Sequence, residues 1–162
     1  MINKKKYEQV ILYLCNKLGG EIHGKKKLAK LLYFSDFDFF EKNQRPITGD
    51  VYKALPMGPF PMGLDNITVE MTKKKEISVD SVEEREGYVP TEVYRCLIES
   101  DISVLDAEEI WMLDRVALKY GQLTGKQLED LSHAEAPYIG TEPRKEIPYE
   151  LAFYRGTEFS EL

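Results

Sequence analysis

The sequence predicts an α+β fold in which one predominantly helical domain carries a small antiparallel β-hairpin. Several segments repeat apolar residues at spacings of three and four, which is typical of amphipathic helices. Two short segments with apolar residues at alternating positions flank a polar loop, and this pattern predicts the hairpin. No linker, internal repeat or low-complexity stretch divides the 162 residues. We therefore expect a single domain over 1–162, with an irregular tail from about residue 139.

The most apolar predicted helix runs from about residue 25 to Asn43. Its leucines fall on one face, whereas aromatic residues fall broadly on the opposite face: Tyr33, Phe34, Phe37 and Phe40. A helix that is apolar on two faces is usually buried in the middle of a domain. We therefore expect the other elements to pack around this helix.

Asp36 lies on the flank between these two faces. It needs a partner, because burying an unpaired carboxylate costs roughly several kcal/mol. In a structural interpretation, the carboxylate caps a buried backbone segment or pairs with Lys30 or Lys53. In a functional interpretation, it is a polar point at the floor of an aromatic-lined binding surface. The sequence leaves both interpretations open.

Two further helices are predicted in the first half of the chain. The first helix spans about residues 4–18 and ends at a pair of glycines. Another begins near Met62 or Asp65 and ends near Lys73, with Ile67 and Met71 facing inward.

Two helix starts in the second half carry the capping-box pattern. Asp106 is followed three residues later by Glu109, and Thr124 is followed in the same way by Gln127. In a capping box the first side chain accepts a hydrogen bond from the backbone of the second residue, and the second side chain reaches back. The pattern predicts one helix from Asp106 to about residue 120 and another over about residues 125–132.

The extended segments are short. Residues 50–55 predict a short strand or an extended segment, and the three prolines of residues 56–61 predict a rigid turn after it. Residues 77–82 and 88–93 predict the hairpin, with its loop around Gly87. Residues 94–104 fit a short helix or a loop equally well. In the tail, residues 149–154 predict a short strand.

Composition and charge exclude several classes of protein. The chain lacks a run of about 18 apolar residues and a signal peptide, so we expect a cytoplasmic protein without membrane association. Its formal net charge of −6 disfavours general binding to nucleic acid. Cys15 and Cys96 are expected to be free thiols in a reducing compartment.

The residues that usually carry catalysis or bind metals form no motif. His23 and His133 are the only histidines, and each is expected to be structural. The sequence contains no zinc-binding pair of cysteines, no phosphate-binding loop and no nucleophile elbow. We therefore predict no enzymatic activity and no cofactor.

Three stretches together resemble a known family. They are Lys27-Leu-Ala-Lys-Leu-Leu-Tyr-Phe-Ser-Asp36, then Pro46-Ile-Thr-Gly49, and then Tyr52 followed by Gly58-Pro59. This combination resembles the Panacea domain, also called the SocA-like domain, over about residues 5–135. The resemblance implies an antitoxin of a bacterial or prophage toxin–antitoxin pair, which neutralises a protein toxin encoded nearby by direct contact. Some members are adaptors that deliver the toxin to a protease unfoldase.

The resemblance also directs attention to a partner-binding region around the predicted helix and the proline-rich turn. In this hypothesis the glycine and proline shape the turn, the aromatic residues supply buried area, and the aspartate fixes orientation. The predicted contact residues are Tyr33, Asp36, Tyr52, Met57, Gly58, Pro59 and Phe60. The Pro-Phe-Pro sequence after Gly58 departs from the commonest family pattern and would alter that rim.

A DNA-binding regulator is the alternative hypothesis. The first helix, the glycine turn, the lysine-led second helix and the later hairpin together fit a winged helix. Against this, the second helix uses its surface for leucine and phenylalanine, which leaves few side chains to contact base edges. The sequence therefore disfavours nucleic acid as a partner, and an enzyme that uses Asp36 ranks last.

Overall fold

The helix α2 (Lys25–Asn43) passes through the middle of the molecule, and the other elements pack around it, as predicted. The structure is a computed structural model, and it describes residues 2–160. The remaining helices and the strands are α1 (Lys4–Lys17), β1 (Glu21–His23), β2 (Tyr52–Leu55), β3 (Gly58–Pro61), α3 (Leu64–Lys73), β4 (Ile77–Val82), β5 (Thr91–Cys96), α4 (Ala107–Tyr120), α5 (Gly125–His133) and α6 (Ala136–Ile139). The predicted α+β class is confirmed.

The helix starts follow from local hydrogen bonds. Both predicted capping boxes are present, with Asp106 and Glu109 at α4 and with Thr124 and Gln127 at α5. Each box satisfies backbone N–H groups that have no partner inside the helix. The Asn3 side chain caps α1 in the same way, by accepting a hydrogen bond from the backbone of the first turn.

The strands form two antiparallel sheets. One sheet has the order β1-β5-β4, and the other is the β2–β3 hairpin. The predicted hairpin is confirmed as β4 and β5, although β5 begins at Thr91, later than the pattern suggested. β1 was not predicted. It has only three residues, and it forms by pairing Glu21 with the distant Arg95.

Three local predictions are corrected. The proline-rich segment is not one rigid turn, because residues 58–61 form the strand β3 and only Pro56 and Met57 connect it to β2. Residues 149–154 form a 3₁₀ helix, not a strand. The undecided segment 94–104 contains the end of β5 and a short 3₁₀ turn at Ile102–Val104.

The tail after α6 is attached to the rest of the domain by backbone pairing and by its aromatic residues. The backbone N–H of Ile147 donates to Tyr52 O, and Ala54 exchanges backbone hydrogen bonds with Arg144 and Lys145. This places a short extended segment beside β2. The tail is therefore less irregular than the sequence suggested.

Both faces of α2 are buried. The leucine face contributes Leu28, Leu31 and Leu32 to the core. On the aromatic face, Phe34 stacks on Tyr120 of α4 with ring centroids 4.0 Å apart, and Phe37 stacks on Tyr149 of the tail at 4.7 Å. Within residues 2–160, none of the helices combines the length and apolar character that a membrane crossing requires.

Candidate partner-binding surface

The carboxylate of Asp36 is completely buried and accepts four hydrogen bonds. The backbone N–H groups of Ile47 and Thr48 donate to Oδ1 at 2.8 and 2.7 Å. The hydroxyl groups of Thr48 and Tyr52 donate to Oδ2 at 2.5 and 2.6 Å. Asp36 therefore caps a buried backbone turn, as the structural interpretation predicted, and no lysine takes part.

The two influences on this carboxylate oppose each other. Burial raises the pKa of Asp36 to about 6, while the hydrogen bonds from Thr48, Tyr52 and Ile47 lower it. All four groups around the carboxylate donate, so they favour its charged form. Asp36 holds the turn at residues 47–48 against α2 and positions the start of β2.

A second carboxylate, Asp50, fixes the same open end of the hairpin. Asp50 Oδ2 accepts a 2.6 Å hydrogen bond from the hydroxyl of Tyr7, and its carboxylate also accepts from the backbone N–H of Gly63. The backbone carbonyl of Asp50 accepts a 2.6 Å hydrogen bond from the hydroxyl of Tyr149. Residues just before β2 and just after β3 are thus tied to the same buried group.

Lys30 supports the middle of the hairpin from α2. Its side chain is 1% exposed, its Nζ donates to Pro59 O at 3.1 Å, and burial lowers its pKa to about 8. Because proline has no backbone N–H, Pro59 brings a carbonyl to this buried edge without an unsatisfied donor. The ammonium group satisfies that carbonyl.

Gly58 is required by space as well as by backbone conformation. Its φ is +106°, and an added Cβ would lie 2.8 Å from Lys30 Cε and 2.9 Å from Ser132 Oγ. Non-glycine residues rarely adopt this φ, and no buried neighbour can approach a Cβ that closely. The hairpin therefore packs against both α2 and α5 at a position where only glycine fits.

The structure brings the seven predicted contact residues into one region but gives them different accessibility. Tyr33, Asp36 and Tyr52 are buried in the core, and Gly58 and Pro59 are also buried. These residues can support a binding surface, but their side chains do not reach solvent. Phe60 is partly buried, and Met57 is 60% exposed at the hairpin tip.

The sequence did not predict a second cluster of charges, which forms on α2 around Asp38 and Glu41. Arg155 donates from Nη2 to Asp38 at 2.5 Å and to Glu41 at 2.7 Å, and from Nη1 to Glu135 at 3.0 Å. Arg115 donates to the other oxygen of Asp38 at 2.9 Å. The available signal is an aspartate inside so apolar a helix, which calls for a buried cation but does not indicate which one.

The structure offers little support for the winged-helix alternative. The predicted recognition helix is α2, and its residues 28–39 are buried. At its N-terminus, Lys26 pairs with Glu129 at 2.7 Å and Lys27 donates to the carbonyl of Gly121 at 2.7 Å. A helix that enters the major groove needs an exposed face. Among residues 2–160, α2 has no such face.

Comparison with known proteins identifies the family. A family model described as "Antitoxin SocA-like, Panacea domain" matches residues 28–138, which is more than half of the chain. No curated protein and no solved structure matches the chain. The matched region contains Lys30, Asp36, Tyr52 and Gly58, the residues that fix the hairpin, and it ends before Arg155. The chain therefore belongs to the SocA-like antitoxin family defined by the Panacea domain.

Proposed function

We propose that the protein is a cytoplasmic antitoxin that neutralises a protein toxin encoded nearby, and that it contacts this toxin through the tip of the β2–β3 hairpin. The observation that carries the proposal is Met57, which is 60% exposed although the hairpin beneath it is fixed by buried groups on all sides. The family is an antitoxin family, which implies a toxin as partner.

The chemistry of the tip suits a protein partner. Methionine is flexible and polarisable, and it fills irregular gaps in a partner surface. Binding energy at protein interfaces is concentrated in a few residues, and methionine is enriched at interfaces relative to the rest of the protein surface. Met57 is the exposed anchor, and the partly buried Phe60 extends the apolar surface beside it.

The buried residues of the predicted site then have a supporting role. Asp36 and Tyr52 fix the start of the hairpin, and Tyr33 donates from its hydroxyl to Glu135 at 2.7 Å beneath it. Gly58 and Pro59 set the path of β3 against Lys30. In this proposal the protein acts by binding and performs no catalysis.

Coexpression with the product of the adjacent gene tests the proposal. Wild-type protein is expected to restore growth and to copurify with the toxin. Met57→Glu should weaken the complex at least tenfold without changing the melting temperature, because the side chain is exposed and a buried charge at an interface is costly. Met62→Glu is the matched control, since Met62 is also an exposed methionine but follows the other end of β3.

Two outcomes would contradict the proposal in different ways. If wild-type protein forms no complex and restores no growth, the antitoxin function is wrong. If the toxin binds Met57→Glu as tightly as wild type, the hairpin tip is not the contact.

Growth rescue in cells that lack the protease unfoldases distinguishes two ways of neutralising the toxin. Rescue that persists in these cells would show neutralisation by blocking, whereas rescue that is lost would show an adaptor role.

A further inference from the structure

A second apolar surface lies where α6 meets the end of the 3₁₀ helix 149–154. Three large residues are exposed there, namely Ile139 at 69%, Phe153 at 48% and Tyr154 at 78%. We call these three residues the C-terminal patch. Ile139 and Tyr154 line one cleft of about 420 Å³, which lies between the start of α6 and the end of the 3₁₀ helix 149–154. The next residue back, Tyr138, donates from its hydroxyl to Leu55 O, so α6 connects the patch to the hairpin.

Two of the residues that line the cleft are fixed by ion pairs and hydrogen bonds. Glu135 and Arg155 line it and are joined by a 3.0 Å ion pair. The same glutamate oxygen accepts a hydrogen bond from the hydroxyl of Tyr33, and Arg155 also forms ion pairs with Asp38 and Glu41. These polar groups are already satisfied within the chain. They fix the walls of the cleft, and they leave apolar contact as its main means of holding a ligand.

The segment 142–158, which forms one side of the cleft, carries more acidic than basic exposed side chains. It has four exposed glutamates, Glu142, Glu146, Glu150 and Glu158, against the exposed Arg144 and Lys145, and among residues 2–160 none of these six forms a side-chain ion pair. In a 3₁₀ helix, side chains three positions apart lie on the same side. Glu150 therefore lies on the same side as Phe153, and Glu158 follows Thr157, which lines the cleft. Carboxylates thus border the apolar patch.

We propose that the C-terminal patch is a second contact for the toxin and that it takes an apolar side chain flanked by lysine or arginine. This inference rests on the proposed antitoxin function and names the chemistry of the toxin segment. Rigid exposed aromatic residues make good anchors, because little side-chain freedom is lost when they bind. The carboxylates at the rim complement a basic segment, steer its approach and disfavour acidic partners.

The chemistry can be tested without the toxin, by using three synthetic peptides. One has a central phenylalanine flanked by lysines, one has the same phenylalanine flanked by glutamates, and one has a central serine flanked by lysines. Backbone amide NMR of the full chain should show saturable shifts around Ile139 and Tyr154 with the first peptide only. Equal shifts with all three peptides, or none with the first, would overturn the proposal.

The second arm measures the toxin itself. The double variant Ile139→Ser/Tyr154→Ser should bind at least tenfold more weakly, and Glu150→Lys/Glu158→Lys should slow association and reduce its dependence on salt. Leu118→Ser is the control, because Leu118 is an equally exposed apolar residue on α4. Wild-type affinity in the Ile139→Ser/Tyr154→Ser variant would show that the C-terminal patch does not contact the toxin. The proposed antitoxin function would be unaffected by that result. If wild type binds no toxin, the antitoxin function fails and the peptides alone decide the patch.

Discussion

Asp36 and Asp38 lie two residues apart on α2, and both are buried, but their charges are satisfied in opposite ways. Asp36 is surrounded by neutral donors, two from the backbone and two from hydroxyl groups, all within 16 positions in sequence. Asp38 is held by two arginines, which lie 77 and 117 positions away. One carboxylate organises a nearby turn, and the other joins distant parts of the chain.

The two carboxylates also differ in where their partners lie relative to the region that the family model matches. Asp36 and all its donors lie within residues 28–138, where the family model matches. Arg155 lies outside that region. The residues that support the hairpin from Asp36 thus lie within the matched region, whereas the charge that neutralises Asp38 comes partly from the tail beyond it.

The largest effect should come from removing the tail's cation. Arg155→Ala leaves Asp38, Glu41 and Glu135 close together, and within residues 2–160 their remaining paired counter-charge is Arg115. Breaking a buried ion pair in this way costs about 3–5 kcal/mol. Urea unfolding should show this loss in the free energy of unfolding.

An exposed ion pair provides the control for that measurement. Lys126 pairs with Asp130 at the surface, at 3.1 Å. Asp130→Ala should leave the unfolding midpoint nearly unchanged, because solvent screens the exposed pair and Lys126 keeps its contact with Glu129. A stability of Arg155→Ala close to that of wild type would show that the tail does not stabilise the core.

The next effect concerns Asp36. Asp36→Asn keeps the shape of the side chain but presents an amide N–H₂ to neighbours that are themselves donors. We expect a loss of about 2–3 kcal/mol in the free energy of unfolding at pH 7, measured by urea. Thr48→Val removes one of the four donors and should cost less, about 1–2 kcal/mol. An Asp36→Asn variant as stable as wild type would show that the charge contributes nothing to the turn.

The pH dependence of stability tests how strongly the folded protein favours the charged form of Asp36. Burial raises the pKa of Asp36 to about 6, whereas an unfolded aspartate titrates near about 3.9. The folded chain therefore takes up a proton at higher pH than the unfolded chain does. Relative to Asp36→Asn, wild type should gain stability as the pH falls from 7 to 4 and lose that gain as the pH rises through about 6. A difference that stays constant over this range would mean that the donors keep the carboxylate ionised.

Gly58 tests the packing between hairpin and helices. Gly58→Ala combines an unfavourable φ with a Cβ that would lie 2.8 Å from Lys30 Cε. We expect a loss of about 1–3 kcal/mol on thermal or urea unfolding. Gly87→Ala is the matched control, since Gly87 also has a positive φ but has nothing within 4 Å of an added Cβ. Equal losses in the two variants would mean that the close approach to Lys30 has no cost.

The smallest effect is expected at His23. Its two ring nitrogens contact Glu84 at 2.6 Å and Glu21 at 2.8 Å, and these carboxylates raise the pKa of His23. Its contribution to stability is therefore fully present below the ordinary histidine pKa and lost as the pH rises through the raised value. Because the ring is half exposed, His23→Gln should cost less than about 1 kcal/mol. The difference in melting temperature from wild type should be larger at pH 5.5 than at pH 8.5, and the reverse order would contradict the assignment.

The features that the sequence predicted well are those determined by nearby residues. The capping boxes at Asp106 and Thr124 involve residues only three positions apart, so their pattern is visible in the sequence. The centre of the fold was also predictable, because α2 is apolar on two faces. By contrast, β1 has three residues and forms only by pairing with β5, which is remote in sequence.

The candidate site was predictable only in part. The family motif pointed to Asp36, Tyr52 and Gly58, and the structure brings them together at the hairpin. Whether each side chain faces solvent depends on distant elements, because the hairpin packs against α5 and the tail as well as α2. For that reason the sequence did not separate Met57, which is exposed, from Tyr33, which supports the site from the core.

The position of Arg155 has a consequence for the order in which the protein is made. The residues of α2 are synthesised more than 100 residues before two of their partners, the ring of Tyr149 that stacks on Phe37 and the cation of Arg155 that pairs with Asp38. Until then, Phe37 lacks its stacking partner and Asp38 lacks one counter-charge. Contacts this distant in sequence close slowly, and an incomplete chain exposes the apolar surface that promotes aggregation. The core of this antitoxin becomes complete only when the end of the described chain has been translated.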